Sequence, residues 1–273
     1  MAESGDGSLP AYVLPLLTRS ASLLTLLLQD GAVDLELTSS VVAMDPGLAF
    51  GVLQLANHDG AGESDPVWQF PMAVVSAGRE AMLRLAGRAA RVESDFHGRR
   101  AALLRELYTN AVARAAVAQF LGRELGDRKP HKAYLAGLMA ELPLVVKTTF
   151  ATHAVSRAEL LTAMCRALPA AAVTAAVAAV ETGEDTIAPD AIVSAVRIAD
   201  SVVLLTAAGD GDAAQLETLA SAALWRSWHE CDLQQRLFLL TRGRTLAKWA
   251  AANVSRMDPW EFMARLERRS TWE

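Results

Sequence analysis

Apolar residues recur along most of the chain at the three- and four-residue spacing of helices, and no stretch shows sustained period-two alternation. Between residues 14 and 28 they crowd nearly every helical face, which predicts a buried helix that ends at Gly31. Asp34 opens a short second helix. Asp45 and Pro46 then predict the start of a third, because Asp caps free N–H groups and Pro suits the first helical position. The pattern predicts an all-α fold, a bundle of several helices without a large sheet.

Further helices are predicted downstream of a loop. Glycines and prolines make residues 58–71 a loop, and polar turn residues mark linkers at 126–130 and 181–185. The helices predicted around these breaks cover residues 76–90, 98–122, 130–150, 156–167, 169–182 and 189–207.

One main domain with a C-terminal extension is the predicted organisation. Residues 1–8 are polar and are expected to form a disordered lead-in. Residues 9–208 are expected to form the main helical domain, and residues 209–273 a helical extension packed on it. The boundary rests on the turn formers at 209–212, a Gly-Asp-Gly-Asp run.

Composition and charge narrow the function classes. With a net charge of −5 and a pI near 5.6, the chain has no global attraction for nucleic acid or an anionic membrane. The most apolar run, residues 167–180, contains a proline and is shorter than the roughly 20 residues of a membrane span. Cys165 and Cys231 fit neither a disulfide framework nor a metal spacing. We expect a cytoplasmic protein with reduced thiols.

Several segments of the predicted main domain resemble, in order, the HDOD family (the HD-related output domain of bacterial signalling proteins). The most specific is VVAMDPGL followed by VLQLAN, similar to the family's Asp-Pro signature. The resembling segments are residues 9–14, 41–57, 74–83, 134–139, 167–169 and 192–200. The resemblance covers about Leu9 to Ala207. It implies an HD-like helical bundle and a regulatory role in bacterial signal transduction.

The resemblance also implies that the chemistry of HD enzymes is missing. HD hydrolases hold a divalent metal with histidines and aspartates, and the metal activates water and neutralises phosphate charge. Here Asn110 stands at the first histidine, Ala140-Glu141 at the His-Asp pair, and residues 179–181 where further histidines would lie. Asp200 alone matches a ligand position. We therefore predict no catalytic, metal-binding or cofactor-binding residue, and a metal-independent protein that is not an enzyme.

Two alternatives stay open at this point. A divergent HD-type phosphohydrolase would use Glu141, Asp200 and His153 in a rebuilt site. A nucleotide sensor would line the vestigial cleft with Asn110, Glu141 and a nearby Arg. For Asp200 we favour a structural role, either bonded to backbone N–H groups or paired with an Arg inside the bundle, because a buried carboxylate must be compensated.

Partner expectations rest on aromatic and basic residues. Trp225 and Trp228 lie three apart on one helical face, followed by Trp249 and Trp260. They either fasten the C-terminal helices to the bundle or form an aromatic surface for a partner or a second copy of the chain. Basic clusters such as Arg99-Arg100, Arg242-Arg244 and Arg268-Arg269 could bind a phosphate or an acidic partner, and a solvated helix face explains them equally well. We expect a protein partner, with homo-oligomerisation open, and neither membrane nor nucleic-acid binding.

Overall fold

The computed structural model describes residues 13–29, 34–57, 67–125, 130–150, 191–208, 226–256, 258–259 and 261–262. Within these ranges the structure contains helices and no strand, apart from a single β-bridge between Leu16 and Arg91. The predicted all-α class is confirmed. The helices are α1 (Thr18–Gln29), α2 (Leu35–Ala43), α3 (Pro46–Asn57), α4 (Phe70–Ala77), α5 (Arg79–Arg88), α6 (Gly98–Glu124), α7 (Pro130–Met139), α8 (Leu142–Thr149), α9 (Ala191–Ala208), α10 (Arg226–Glu230) and α11 (Leu233–Arg256).

The chain divides into two compact units, of which the first contains residues 1–105 and 145–169. In this unit α4 packs against α2 and α3, while α1 packs against α2 and α5. Gly51 of α3 lies close to α5, since a Cβ at this position would be 2.7 Å from a methyl carbon of Leu85. The apolar faces predicted for the first three helices are thereby buried against one another.

The first helix begins later than predicted, at Thr18. The Leu16 N–H donates to the Ala90 carbonyl (2.8 Å), and the Val92 N–H donates to the Leu16 carbonyl (2.9 Å). This short extended pairing takes up the backbone groups that an earlier helical turn would need. Leu14 and Leu16 are still buried, so their apolar character reflects burial rather than helix.

Two helices predicted as continuous are each divided in the structure. The helix predicted at 76–90 begins earlier, at Phe70, and is divided at Gly78, whose φ of 74° lies in the region that favours glycine. The helix predicted at 130–150 breaks after Met139. Pro143 lacks the N–H that a continuous helix would need, and it lies instead in the first turn of α8.

The second unit contains residues 106–144 and 170–273. Within it α9 packs against both α7 and α11. Gly243 of α11 lies next to two other helices, because a Cβ there would be 3.4 Å from Val117 of α6 and 3.7 Å from Val202 of α9. Residues from α6, α9 and α11 therefore share one packed interior.

The C-terminal tryptophans described in the structure have packing roles. Trp228 is fully buried, and the ring of Trp249 stacks on Phe262 with 5.4 Å between centroids. These contacts support the structural interpretation for the two residues. The side chains of Trp225, Trp260 and Trp272 lie outside the described part.

Several predictions concern residues that the structure does not describe, and they remain predictions. They are the lead-in at 1–8, the helices at 156–167 and 169–182, and the domain boundary at 209–212. In the described ranges, no single helix has the length and apolar character needed to cross a membrane. Only α2 and α3 taken together reach that threshold, and the chain bends by 119° between them.

Asp45 is a buried carboxylate that joins the residue before α1 to the start of α3. Its Oδ1 accepts from the Leu48 N–H (3.0 Å), which caps α3 as predicted, and its Oδ2 accepts from the Leu17 N–H (2.8 Å). Burial raises the pKa of Asp45 from 3.8 to about 6, and the hydrogen bonds from Leu48, Leu17, Ser20 and Gly47 oppose that rise. The Asp45 carboxylate therefore holds Leu17 and the start of α3 together, and the fold in turn removes it from water.

The buried carboxylate predicts a pH-dependent stability. In the unfolded chain Asp45 loses its proton near pH 4, whereas in the folded chain it keeps the proton until about pH 6. Folding takes up a proton in that window, so the contribution of Asp45 to the free energy of unfolding falls by on the order of 2 kcal/mol between pH 4 and 6, out of about 3 kcal/mol in all. We expect Asp45→Asn to remove this fall, measured by urea denaturation at several pH values.

Asp34→Asn is the matched control for that measurement. Asp34 caps α2 through the Leu37 N–H (2.9 Å) from an exposed position, so its replacement tests the loss of a cap without the buried carboxylate. Equal pH profiles for the wild type and Asp45→Asn would show that Asp45 does not titrate in this window.

Candidate functional site

Arg114 lies in the centre of an otherwise apolar stretch of α6. Residues 111–118 are all buried, and Arg114 is 1% exposed. It is the one charged residue in the run AVARAAVA. A guanidinium in such surroundings is stable only when it is paired with opposite charge.

The two carboxylates that sequence analysis singled out provide that charge. Nε of Arg114 donates to Oδ1 of Asp200 (2.8 Å), and Nη2 donates to Oε1 of Glu141 (2.6 Å). Nη2 also pairs with Oδ1 of Asp200. One nitrogen thus bridges a carboxylate from the turn between α7 and α8 and a carboxylate from α9. We call Arg114, Glu141 and Asp200 the arginine triad.

Glycine and proline place Glu141 within reach of Arg114. A Cβ on Gly137 of α7 would lie 2.9 Å from Cα of Ala115, so α7 and α6 approach closely only because residue 137 has no side chain. Pro143 restarts the helix as α8, which leaves Glu141 in a turn.

The arginine triad is unequally exposed and carries a net charge of −1. The side chains of Glu141 and Asp200 are 20% and 26% exposed, so each carboxylate remains in contact with solvent while Arg114 does not. Two negative charges surround one positive charge. Arginine has donors only and keeps its charge, so Arg114 offsets one of the two negative charges without supplying an acceptor or a metal-bound water.

The other residues that sequence analysis considered for the site differ in position and burial. Asn110 lies on α6 one turn before Arg114 and is half-buried, and Ala140 is buried beside Glu141. Among the histidines of the described ranges, His97 and His229 are exposed and His131 is half-buried. His58, His153 and residues 179–181 lie outside those ranges. The prediction that Asp200 pairs with an Arg inside the bundle is confirmed.

The donor set does not fit a metal centre. Ala140 has no ligand atom, and the oxygens of Glu141 and Asp200 that face inward bind a guanidinium. Across the described part of the chain, no three His, Cys, Asp or Glu side chains come together as a set that could hold an ion. The two carboxylates that the resemblance compares with HD ligands thus bind a cationic side chain.

Two of the basic clusters also have structural contacts. Nε of Arg100 donates to the Thr148 carbonyl (2.8 Å) and Nη2 to the Thr149 carbonyl, so Arg100 binds the C-terminal end of α8. Arg242 lies over the Phe238 ring, 5.1 Å from its centroid. Neither residue acts simply as a solvated charge.

A model of the HDOD domain matches residues 14–184 of the chain, which is more than half of its length. The chain belongs to the HDOD family. The family resemblance found in the sequence is therefore confirmed for these residues, and Glu141 of the arginine triad lies within the matched range, whereas Asp200 lies beyond it.

Solved structures agree on the fold. A crystal structure of the MmoQ response regulator from Methylococcus capsulatus str. Bath matches with a TM-score of 0.59 and 20% identity, over 83% of this chain and 98% of that one. A fragment of the same protein matches with a TM-score of 0.58 and 19% identity, over 77% of this chain and 91% of that one. Comparison with curated proteins gives no significant match.

The close approach at Gly137 predicts a large effect of adding one methyl group. Gly137→Ala places a Cβ against the α6 backbone, and we expect it to lower the free energy of unfolding by about 2–3 kcal/mol. Gly87→Ala is the matched control, because a Cβ at that exposed position of α5 meets nothing within 4 Å. We expect the control to be neutral or stabilising by about 0.5–1 kcal/mol. Similar losses in both variants would contradict the packing described for Gly137.

The buried ion pairs predict a loss that an exposed pair does not give. Asp200→Ala leaves Nε of the buried guanidinium without its acceptor while Glu141 still balances the charge, and we expect it to lower the free energy of unfolding by about 2–3 kcal/mol. Glu80→Ala breaks the exposed Glu80–Arg84 pair (3.8 Å) and should cost under about 0.5 kcal/mol. Chemical denaturation measures both, and an Asp200→Ala effect as small as the control would mean that Arg114 does not depend on Asp200.

Proposed function

We propose that this chain is a non-catalytic HDOD regulatory protein of bacterial signal transduction, acting in the cytoplasm through contacts with protein partners. The observation that carries the proposal is the arginine triad. Arg114 forms ion pairs with Glu141 and Asp200, the two carboxylates that the sequence resemblance compares with HD metal ligands. Carboxylates bound in this way are compensated already and gain less from holding an ion.

Hydrolysis by an HD-type site needs more than positive charge. A metal ion offers an open coordination position at which water is activated, and its ligands must hold it while leaving that position free. The Arg114 guanidinium has no acceptor and no coordination position. Ala140 supplies no ligand, and Asn110 offers at most a neutral amide oxygen. The geometry therefore supports a protein that has kept the helices and lost the reaction.

The signalling role is supported by the family and by a structural relative. The HDOD family is named for an output domain of bacterial signalling proteins. The structurally similar MmoQ protein is described as a response regulator. The sequence contains none of the patterns G-x-x-x-x-G-K-[ST], G-x-S-x-G or G-x-G-x-x-G. We propose that the chain passes its signal on by binding another protein, since the triad offers no chemistry for doing so.

The proposal predicts a wild-type protein without metal-dependent turnover. We expect purified protein to contain far less than one divalent ion per chain, measured by elemental mass spectrometry. We also expect no hydrolysis of bis(p-nitrophenyl) phosphate or cyclic dinucleotides with Mn²⁺, Mg²⁺ or Fe²⁺. Asp200→Ala should equal the wild type in both assays, because Asp200 holds Arg114 and not a metal.

Each rival function gives a distinct result with the same preparations. Stoichiometric Mn, Fe or Mg, together with turnover that Asp200→Ala abolishes, would establish the divergent phosphohydrolase and overturn the proposal. A saturable rise in Tm with a nucleotide would instead indicate the sensor, because a ligand that binds the native state stabilises it. A partner that is identified by affinity capture and then forms a complex with the purified chain would support the proposed mode of action.

A further inference from the structure

The C-terminal helix α11 differs in charge from the chain as a whole. Residues 233–256 include five basic side chains and no Asp or Glu, whereas the chain carries a net charge of −5. The acidic residues nearest to the helix in sequence, Asp232 and Asp258, lie beyond its two ends. The helix is therefore a basic segment of an acidic protein.

One side of α11 is buried and the opposite side is exposed. The side chains that the helix buries are mainly leucines and alanines. On the opposite side, residues that follow one another at a spacing of three and four share one helical face and are exposed or half-buried. We call this surface the basic face, and its residues are Phe238, Thr241, Arg242, Thr245 and Lys248.

Phe238 is the large apolar side chain of the basic face. It is 55% exposed, and the Arg242 guanidinium lies 5.1 Å from the centroid of its ring. This cation–π contact holds the ring and the guanidinium together, so less side-chain freedom is lost when a partner covers them. Phe and Arg are also enriched at the centres of protein interfaces. The two residues thus form a prearranged contact point.

The threonines of the basic face have already used their hydroxyl donors. The Thr241 hydroxyl donates to the Leu237 carbonyl (2.8 Å), and the Thr245 hydroxyl donates to the Thr241 carbonyl (3.1 Å). Recognition therefore falls to the phenyl ring and to the two cationic groups. Arg242 and Lys248 are six residues apart, which places them about 9 Å apart along the helix axis.

We propose that the basic face binds an acidic segment of a partner protein, one that presents carboxylates around at least one large apolar side chain. The apolar side chain packs on Phe238, and the carboxylates pair with Arg242 and Lys248. From Phe238 to Lys248 the basic face spans about 15 Å, the length of about ten helical residues. The inference rests on the proposed function, because it names the kind of partner through which the chain acts.

Charge favours a protein over a nucleic acid as the partner. Affinity for nucleic acid comes largely from the neutralisation of many phosphates. A chain with a net charge of −5 repels a long polyanion outside this one face. An acidic protein segment has fewer charges and places them around apolar side chains, which matches one exposed ring beside two cationic groups.

The test begins with random peptides displayed on phage and selected for binding to the full-length wild type. Peptides of about 16 residues are long enough for about four helical turns. Fluorescein-labelled copies of the selected peptides are then titrated by fluorescence anisotropy with the wild type, with Phe238→Ala and with the double variant Arg242→Glu/Lys248→Glu. Circular dichroism checks that the variants stay folded, as the exposure of these side chains predicts.

Two matched control variants change the first unit instead. Met72→Ala removes an apolar side chain of α4 that is 54% exposed, nearly the same fraction as for Phe238. Lys147→Glu reverses an exposed charge on α8, as the double variant does on α11.

We expect the selected peptides to be rich in Asp and Glu around a Phe, Leu, Trp or Met. Phe238→Ala and the double variant should each raise the Kd by about tenfold or more, because aromatic anchors and desolvated charge pairs dominate binding energy. The controls should stay within about twofold of the wild type. Added NaCl should raise the Kd of the wild type, since it screens the charge pairs.

Selected peptides without an excess of acidic residues, or an unchanged Kd for Phe238→Ala or for the double variant, would overturn the proposal. Sedimentation velocity and titration with a single-stranded oligonucleotide test the other occupants. A wild-type dimer that Phe238→Ala dissociates would assign the basic face to a second copy of the chain. Oligonucleotide binding that the double variant abolishes would assign it to nucleic acid. Either result contradicts the proposal.

The inference and the proposed function fail separately. Peptides that bind another surface contradict only the basic face, because a protein contact elsewhere still fits the proposed function. Metal-dependent turnover by the wild type contradicts the proposed function and leaves the peptide measurement unaffected.

Discussion

A guanidinium placed among buried apolar side chains must be neutralised where it lies, and the second unit is arranged around this requirement. Arg114 lies in the fully buried part of α6, so the carboxylates that pair with it must be supplied by other segments of the chain. The turn after α7 brings Glu141, and α9 brings Asp200. Gly137 permits the close approach of α7 to α6. The arginine triad thus connects three segments that are distant in sequence.

A carboxylate pair that binds an arginine differs in function from one that binds a dissociable ion. A metal can be gained and lost and can activate water, whereas an arginine is permanent and only neutralises charge. Under the proposed function, the chain has therefore exchanged a reactive centre for a structural one. The HD-like helices then remain as a framework.

Local patterns predicted much of this fold, and long-range pairing explains what they missed. Asp45 and Pro46 start α3 as predicted because capping is a local effect. The late start of α1 was missed, since Leu16 pairs with backbone near Arg91. An arginine was one of two kinds of partner expected for Asp200, but Arg114 lies 86 residues away and could not be named from spacing. The available signal in the sequence was Arg114 itself, the one charged residue in the apolar run at 111–118.

The central claim is that the Arg114 guanidinium, and not a metal ion, lies between Glu141 and Asp200. Anomalous diffraction at the manganese edge, from wild-type crystals soaked in MnCl₂, tests it most directly. The account predicts guanidinium density in contact with both carboxylates and no anomalous peak between them. A manganese peak bound by Glu141 and Asp200, with Arg114 turned away, would contradict it.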